Sequence, residues 1–359
     1  MVLAQLRIAV GSAGCAWFGP LLALALVGCE AGASQPGADT ATVLRFDTQE
    51  AGLALREALL EQVFGEARLP DAEPDEQTTD EAPSLWEDLP GLHEFEELVF
   101  YSGELGLPSY VAHFRPEAPH GGLVVYHQGH RGHYSHGRDT IAFFLEAGYA
   151  VMVMAMPLRS LNAVDEVTLA DGTVVPLVYH GDFEVLEALG YEPMRYFFEP
   201  VARVVEYGLE EVGYDDVTLV GISGGGWTVT WYAALDPRVS TSYPVSGTLP
   251  FDLRVGDDVG DYEQLAARPI YASVNYLDLY GLAALEPHRR HHQMFNQDDP
   301  CCFHTRGRED AIADYVADVQ DDLAALGGGE FTHWIDTTHE EHLISEAARD
   351  EMLAHLEGE

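Results

Sequence analysis

The chain has no lysine. Its 18 basic residues are all arginine, set against 60 aspartates and glutamates, for a net charge of −42. Without lysine there is no Ser–Lys dyad, no Schiff base, no pyridoxal-phosphate attachment and no phosphate-loop lysine. The surplus of carboxylates would repel phosphate, so nucleic acid is excluded as a partner. A solvated acidic surface is the ordinary consequence of such a charge. Hydrophobic residues still make up 47 % of the 359 positions, enough to bury a sizeable core in one large domain or two small ones. The sequence carries no internal repeat and no nucleotide-binding Gly-rich fingerprint.

Long apolar runs are scarce too. The run "WFGPLLALALVGC" follows a stretch whose only charge is Arg7. It is too short to span comfortably as a permanent transmembrane helix and fits a signal peptide over residues 1–28. Its end, Leu26-Val27-Gly28-Cys29, resembles the lipobox of bacterial lipoproteins. The resemblance implies cleavage before Cys29 and a lipid on its thiol. The small, polar stretch 29–45 then serves as a tether, and a folded domain occupies 46–359. The expected location is the bacterial cell envelope, periplasmic or outer-membrane side, with the membrane touched only through the anchor.

Cysteine is nearly absent. Of four, Cys15 lies in the leader and Cys29 at the lipid site, which leaves the adjacent Cys301 and Cys302. In an oxidising compartment these two either bond to each other or stay free. They cannot join distant parts of the fold.

What is present is an ordered alternation. "QEAGLALREALLEQVFGEA" has helical spacing, and the acidic "DAEPDEQTTDEAPSLWEDLP" reads as a loop or surface strap. "ELVFYS" and "SYVAHFRP" read as strands around a Gly-rich turn, followed by the buried strands "GLVVYH", "YAVMVMAM" and "DVTLVGI". "RDTIAFFLEAG", "PMRYFFEPVARVVEYGLEEVG" and "GGWTVTWYAAL" read as helices between or after them. "RVSTSYPVSG", "HHQMFN" and "FTHWID" are later strands, and "REDAIADYVADVQDDLAAL" and "SEAARDEMLAHLE" the closing helices. Strands alternating with helices predict an α/β fold with a mainly parallel central sheet flanked by helices. Residues of about 159–193 interrupt the alternation as a small, cap-like insert over the strand ends. Within it "TLADGTVVP" predicts a hairpin turning at Asp171-Gly172.

In "DVTLVGISGGGW" a buried strand runs into Gly221-Ile222-Ser223-Gly224-Gly225, and a helix follows. A nucleophile on so sharp a strand-to-helix turn needs small neighbours two residues to either side. Over residues 95–357 the chain resembles the α/β-hydrolases, whose nucleophile, acid and base come in the order Ser, Asp/Glu, His. The resemblance implies Ser223 as nucleophile. In "HHQMFNQDDPCCF" it offers Asp298 and Asp299 as the acid, with Asp299 preferred. In "FTHWIDTTHEEHLIS" it offers His339 and His342 as the base, with His342 preferred. Ser345 is expected to cap the last helix.

The segment "YHQGHRGHYSHGRD" places His127, His130, His133 and His136 three residues apart. Such a spacing brings rings together well only on a helix, and Gly129, Gly132 and Gly137 argue against one. No metal is therefore expected here. The resemblance makes the segment the oxyanion loop, with donors from the backbone N–H groups of Gly224 and His130. On this reading the His130 ring has no role. His127 shapes the turn, and His133 and His136 line the mouth. A second cluster, "PHRRHHQ", reads as solvated surface.

The resulting expectation is a cofactor-free serine hydrolase acting on a small-molecule carboxylic ester through an acyl-enzyme. A serine peptidase or amidase of the same fold remains an alternative, as does a non-catalytic envelope binding protein.

Overall fold

Short apolar runs rich in Val, Ile and Met cannot stay in water and form strands buried on both faces. In the computed structural model, which describes residues 44–358 apart from 72, 80–81 and 255–259, they build one nine-stranded sheet. The strands are β1 (Glu76–Thr78), β2 (Leu92–Ser102), β3 (Leu107–Pro116), β4 (Gly122–Gln128), β5 (Ala150–Ala155), the hairpin β6 (Glu166–Thr168) and β7 (Val174–Pro176), β8 (Asp216–Ile222), β9 (Val239–Val245), β10 (Arg290–Asn296) and β11 (Glu330–Asp336). The helices are α1 (Gln49–Phe64), α2 (Arg138–Glu146), α3 (Phe183–Ala188), α4 (Arg195–Glu206), α5 (Gly224–Leu235), α6 (Tyr276–Ala283), α7 (Glu309–Leu326) and α8 (Glu346–Glu357).

The sheet order is β1-β2-β3-β5-β4-β8-β9-β10-β11, while β6 and β7 pair separately. β1, β2, β3 and β5 pair antiparallel, and β5, β4, β8, β9, β10 and β11 run parallel. Alternate residues of each strand enter opposite cores. Leu123, Val125, Met152 and Leu219 join one core with the residues of α4, α5 and α6. Val124, Val151, Val153 and Val220 join the other with Phe144 of α2 and Met352 of α8. Every residue of α5 is buried, as expected of a helix apolar on all sides. The order reverses between β4 and β8, so the loops after these two strands open a crevice at their carboxyl ends.

The predicted strands and helices all form. The hairpin turns where expected, with Gly172 at a φ of +85°. Ser345 caps α8 by accepting the Ala348 N–H at 2.9 Å. Three differences stand out. Within the predicted acidic strap, Glu76–Thr78 pairs with β2, where Arg203 meets Asp75 at 2.9 Å and fixes the segment. Leu44, inside the predicted tether, is buried and donates its N–H to Asp322, so the core begins there. α6 was not predicted. The signal peptide, Cys15 and Cys29 lie outside the described residues. Among those residues no helix is long and apolar enough to cross a membrane.

Candidate active site

Ser223 sits between β8 and α5 with a φ of +57° and a ψ of −127°, a region few non-glycine residues enter. Its N–H donates to Val245 O at 2.9 Å, and its carbonyl accepts from Trp227 at 2.9 Å. The helix N-terminus thus begins at the serine, where its partial positive charge favours an anion. Two glycines make this packing feasible. A Cβ on Gly225 would lie 2.0 Å from the His127 carbonyl oxygen. A Cβ on Gly129 would lie 2.7 Å from Ser223 Cβ and 3.2 Å from the Gly224 nitrogen. The loop after β4 and the turn after β8 therefore touch at the level of their backbones.

The carboxyl ends of β10 and β11 bring the predicted acid and base together. His342 Nδ1 lies 2.7 Å from Asp299 Oδ2. Asp299 is buried, and its other oxygen accepts the N–H groups of Cys301 at 2.8 Å and Cys302 at 3.0 Å. Burial raises the Asp299 pKa, but the hydrogen bond and charge of His342, with the two N–H donors, outweigh it and hold the carboxyl below its usual value. Asn296 donates to Asp299 Oδ2 at 3.2 Å and to Leu343 O at 3.0 Å, tying the acid loop to the base loop. The rejected candidates lie elsewhere. Asp298 pairs with Arg306. His339 Nε2 lies 3.2 Å from Asp336, and its Nδ1 accepts the Glu341 N–H.

A cavity of about 300 Å³ opens on the serine, lined by His130, Ser223, Asp261, Gln264, Phe303 and the Cys301–Cys302 pair. The two cysteines are bonded to each other. Their sulfurs and a His342 ring nitrogen lie within 4.8 Å of one another, which places the base beside the cavity wall.

No family model matches the sequence, and no curated protein matches it. Solved structures do. An acetyl xylan esterase from Paenibacillus sp. R4 superposes with a TM-score of 0.55 at 16 % identity, covering 88 % of this chain and 95 % of its own. Acetyl xylan esterase 1 from Thermoanaerobacterium sp. JW/SL YS485 gives 0.50 at 15 %, covering 85 % and 92 %. The methylesterase BT1017 gives 0.54 at 14 %, covering 87 % and 66 %. The chain has the α/β-hydrolase fold.

Beside the serine lies a cluster that the sequence reading missed. The Glu263 carboxylate is fully buried between two imidazoles. His130 Nε2 lies 2.7 Å from its Oε1, and His180 Nδ1 lies 2.9 Å from its Oε2. Asp261 Oδ2 stands 3.6 Å from His130 Nε2, and Arg159 reaches Asp261 at 3.5 Å. Burial raises the Glu263 pKa, but the charges and hydrogen bonds of His180 and His130 hold it well below the carboxylate range. These three side chains are the right types for a metal ion. Yet tetrahedral zinc separates its ligand atoms by about 3.3 Å. Here each carboxylate oxygen sits on a ring nitrogen at hydrogen-bond distance, the spacing of a shared proton.

His180 comes from the insert and Glu263 from the loop between β9 and α6. The only available signal was that loop's length without regular structure, which in compact domains tends to mark function. The remaining histidines fare unevenly. His127 is buried, bonds the Gln128 carbonyl at 3.0 Å and is pushed down by burial to about 4, so it is a neutral packing residue as expected. His133 caps the turn Tyr134–Gly137 by accepting the Ser135 N–H, and neither it nor His136 is among the cavity residues. The predicted solvated surface "PHRRHHQ" is a correction. Arg289, His291 and His292 are buried. Arg289 donates to the carbonyls of Val239 and Asp236, and His291 bonds Ser242 Oγ at 2.7 Å. Arg289 tolerates burial because carbonyls satisfy it, and burial pushes His291 and His292 down to about 3, so both rings are neutral.

Proposed function

We propose that this chain is a serine hydrolase that cleaves small carboxylic esters with Ser223, His342 and Asp299. His342 takes the Ser223 proton as the hydroxyl attacks the ester carbonyl. Asp299 holds the ring tautomer and stabilises the imidazolium. The tetrahedral oxyanion rests on the backbone N–H groups of Gly224 and His130. His342 returns the proton to the leaving alcohol, and water then releases the acid by the reverse sequence. The observation that carries this reading is the 2.7 Å bond between His342 and the buried Asp299, whose N–H donors Cys301 and Cys302 line one cavity with the strained Ser223. The ester, rather than the amide, is supported by the superposing structures, which are esterases. No cofactor enters. The same reading has the protein exported and held in the envelope through Cys29.

Purified protein should hydrolyse short-chain nitrophenyl esters and leave aminoacyl anilides untouched, and Ser223→Ala should abolish turnover. Faster cleavage of the anilides would make it a peptidase instead. No turnover of either class would favour a binding protein.

A further inference from the structure

Neither ring nitrogen of His180 has a choice of role. Nε2 faces the carbonyl oxygen of Pro157 at 2.8 Å, and Nδ1 faces Glu263 Oε2 at 2.9 Å. The carbonyl and the Glu263 carboxylate both accept, so each ring nitrogen is placed to donate. The contact fixes the plane of the buried Glu263 carboxylate. The second carboxylate oxygen then receives the Nε2 proton of His130 at 2.7 Å.

This pins the His130 ring in a particular place. It lines the cavity with Ser223. A Cβ on Gly224 would lie 2.6 Å from His130 Nδ1, so that nitrogen hangs over the first residue of α5. Among the described residues His130 Nδ1 has no hydrogen-bond partner, nor is it a buried orphan. It opens on the cavity.

We propose that the His130 ring, and not its backbone alone, binds the substrate's developing oxyanion through Nδ1–H, with Glu263 and His180 as its positioning residues. The inference rests on the esterase reading and adds a charged donor to it. The ring can act only as an imidazolium, because a neutral ring bonded to Glu263 through Nε2–H would turn a lone pair toward the oxyanion. The groups around it decide whether it keeps that proton. Burial and Arg159 oppose the charge. Glu263 and Asp261 favour it and prevail, so the ring holds its proton to higher pH than a free histidine. The rings of His127 and His180 and the start of α5 also face it, all neutral or positive.

A pH consequence follows. His342 must be neutral to act as base. His130 must be charged, which sets the alkaline limb, and activity falls as pH rises through its raised value. The test is the pH profile of kcat and kcat/KM on a soluble nitrophenyl ester, for the wild type, His130→Gln and Glu263→Gln, with fluorophosphonate labelling of Ser223 in each. Glutamine at 130 can still donate to Glu263 but carries no charge. It should lower kcat by on the order of 10²-fold with a much smaller change in KM, and erase the alkaline limb. Glu263→Gln should move that limb to lower pH by about one unit or more, and Glu263→Asp should restore part of the shift. Should Glu263→Gln fail to fold, the His130→Gln profile decides alone. A His130→Gln enzyme that keeps both its rate and its alkaline limb, while Ser223 still labels, would overturn the role of the ring and leave the esterase reading standing. Wild-type protein that does not label at Ser223 would overturn both. One equivalent of bound zinc, whose removal by chelator abolishes activity, would replace the proton-held cluster by a metal centre.

Discussion

Two sets of residues meet at the cavity, and their positions are determined differently. Ser223 follows β8 directly, and Asp299 and His342 lie on the loops after β10 and β11, which Asn296 at the end of β10 ties together. His180, Asp261 and Glu263 come from the insert and from the loop between β9 and α6, and side-chain contacts among them and with His130, Arg159 and the Pro157 carbonyl hold them. The first set is rigid because the sheet is rigid. The second is rigid only while its charges balance. One carboxylate in each set is buried and held low, but by different means. Asp299 is held by a histidine and two backbone N–H groups, Glu263 by two imidazoles alone. The difference teaches where sensitivity to conditions should lie. Chemistry at the strand ends depends on residue identity. The loop-borne cluster depends on protonation.

The comparison can be broken most strongly at the strand ends. His342→Ala should lower kcat by about 10⁵- to 10⁶-fold, the scale of losing a base or nucleophile, without changing the circular-dichroism spectrum. Next comes the pair of neighbouring acids. Asp299→Asn should cost about 10⁴-fold in kcat through the wrong tautomer of His342. Asp298→Asn, which loses only an exposed pairing with Arg306, should change kcat less than twofold. Equal effects at the two positions would mean that the acid is misassigned. The charge cluster ranks third, with the pH profiles of the His130 and Glu263 variants as its measure.

How much of this was legible follows the same division. The sheet, the elbow and the order of the three strand-end residues are local patterns: apolar runs, glycines around Ser223, an Asp-Pro turn, a capped final helix. The preference for Asp299 over Asp298 came from the Asp299-Pro300 pair, the form of acid turn that the resemblance implies. The cluster was not legible. His130 and Glu263 are 133 positions apart, and His180 and Glu263 are 83 apart, so no spacing rule relates them. The regular three-residue repeat of histidines drew attention to partners within the segment, whereas the one that matters pairs outside it. The burial of Arg289 and His291 was hidden for a related reason. A charged run looks solvated until tertiary structure supplies the carbonyls and hydroxyls that satisfy it. Likewise the short strand β1 owes its place to Arg203, far along the chain, and not to its own composition.

A smaller effect joins the two sets. The N–H groups of Cys301 and Cys302 hold Asp299, while their disulfide forms part of the cavity wall. Mild reduction should loosen this turn. Misplacing a catalytic group by about 1 Å can cost about 10²-fold. Asp299 keeps its bonds to His342 and Asn296, so the loss should be smaller, and it should reverse on reoxidation. In Asp299→Asn, reduction should have little further effect, as expected of two changes that act through one contact. An equal loss in both backgrounds would mean that the cysteines act on something other than the acid.

The central claim is that Ser223 is a nucleophile activated by His342. Reaction with a fluorophosphonate, followed by mass mapping of the adduct, tests it most directly. The account predicts a single adduct on Ser223 in the wild type, none in Ser223→Ala, and labelling slowed by several powers of ten in His342→Ala. An adduct on another serine, or labelling of Ser223 at an unchanged rate without His342, would contradict it.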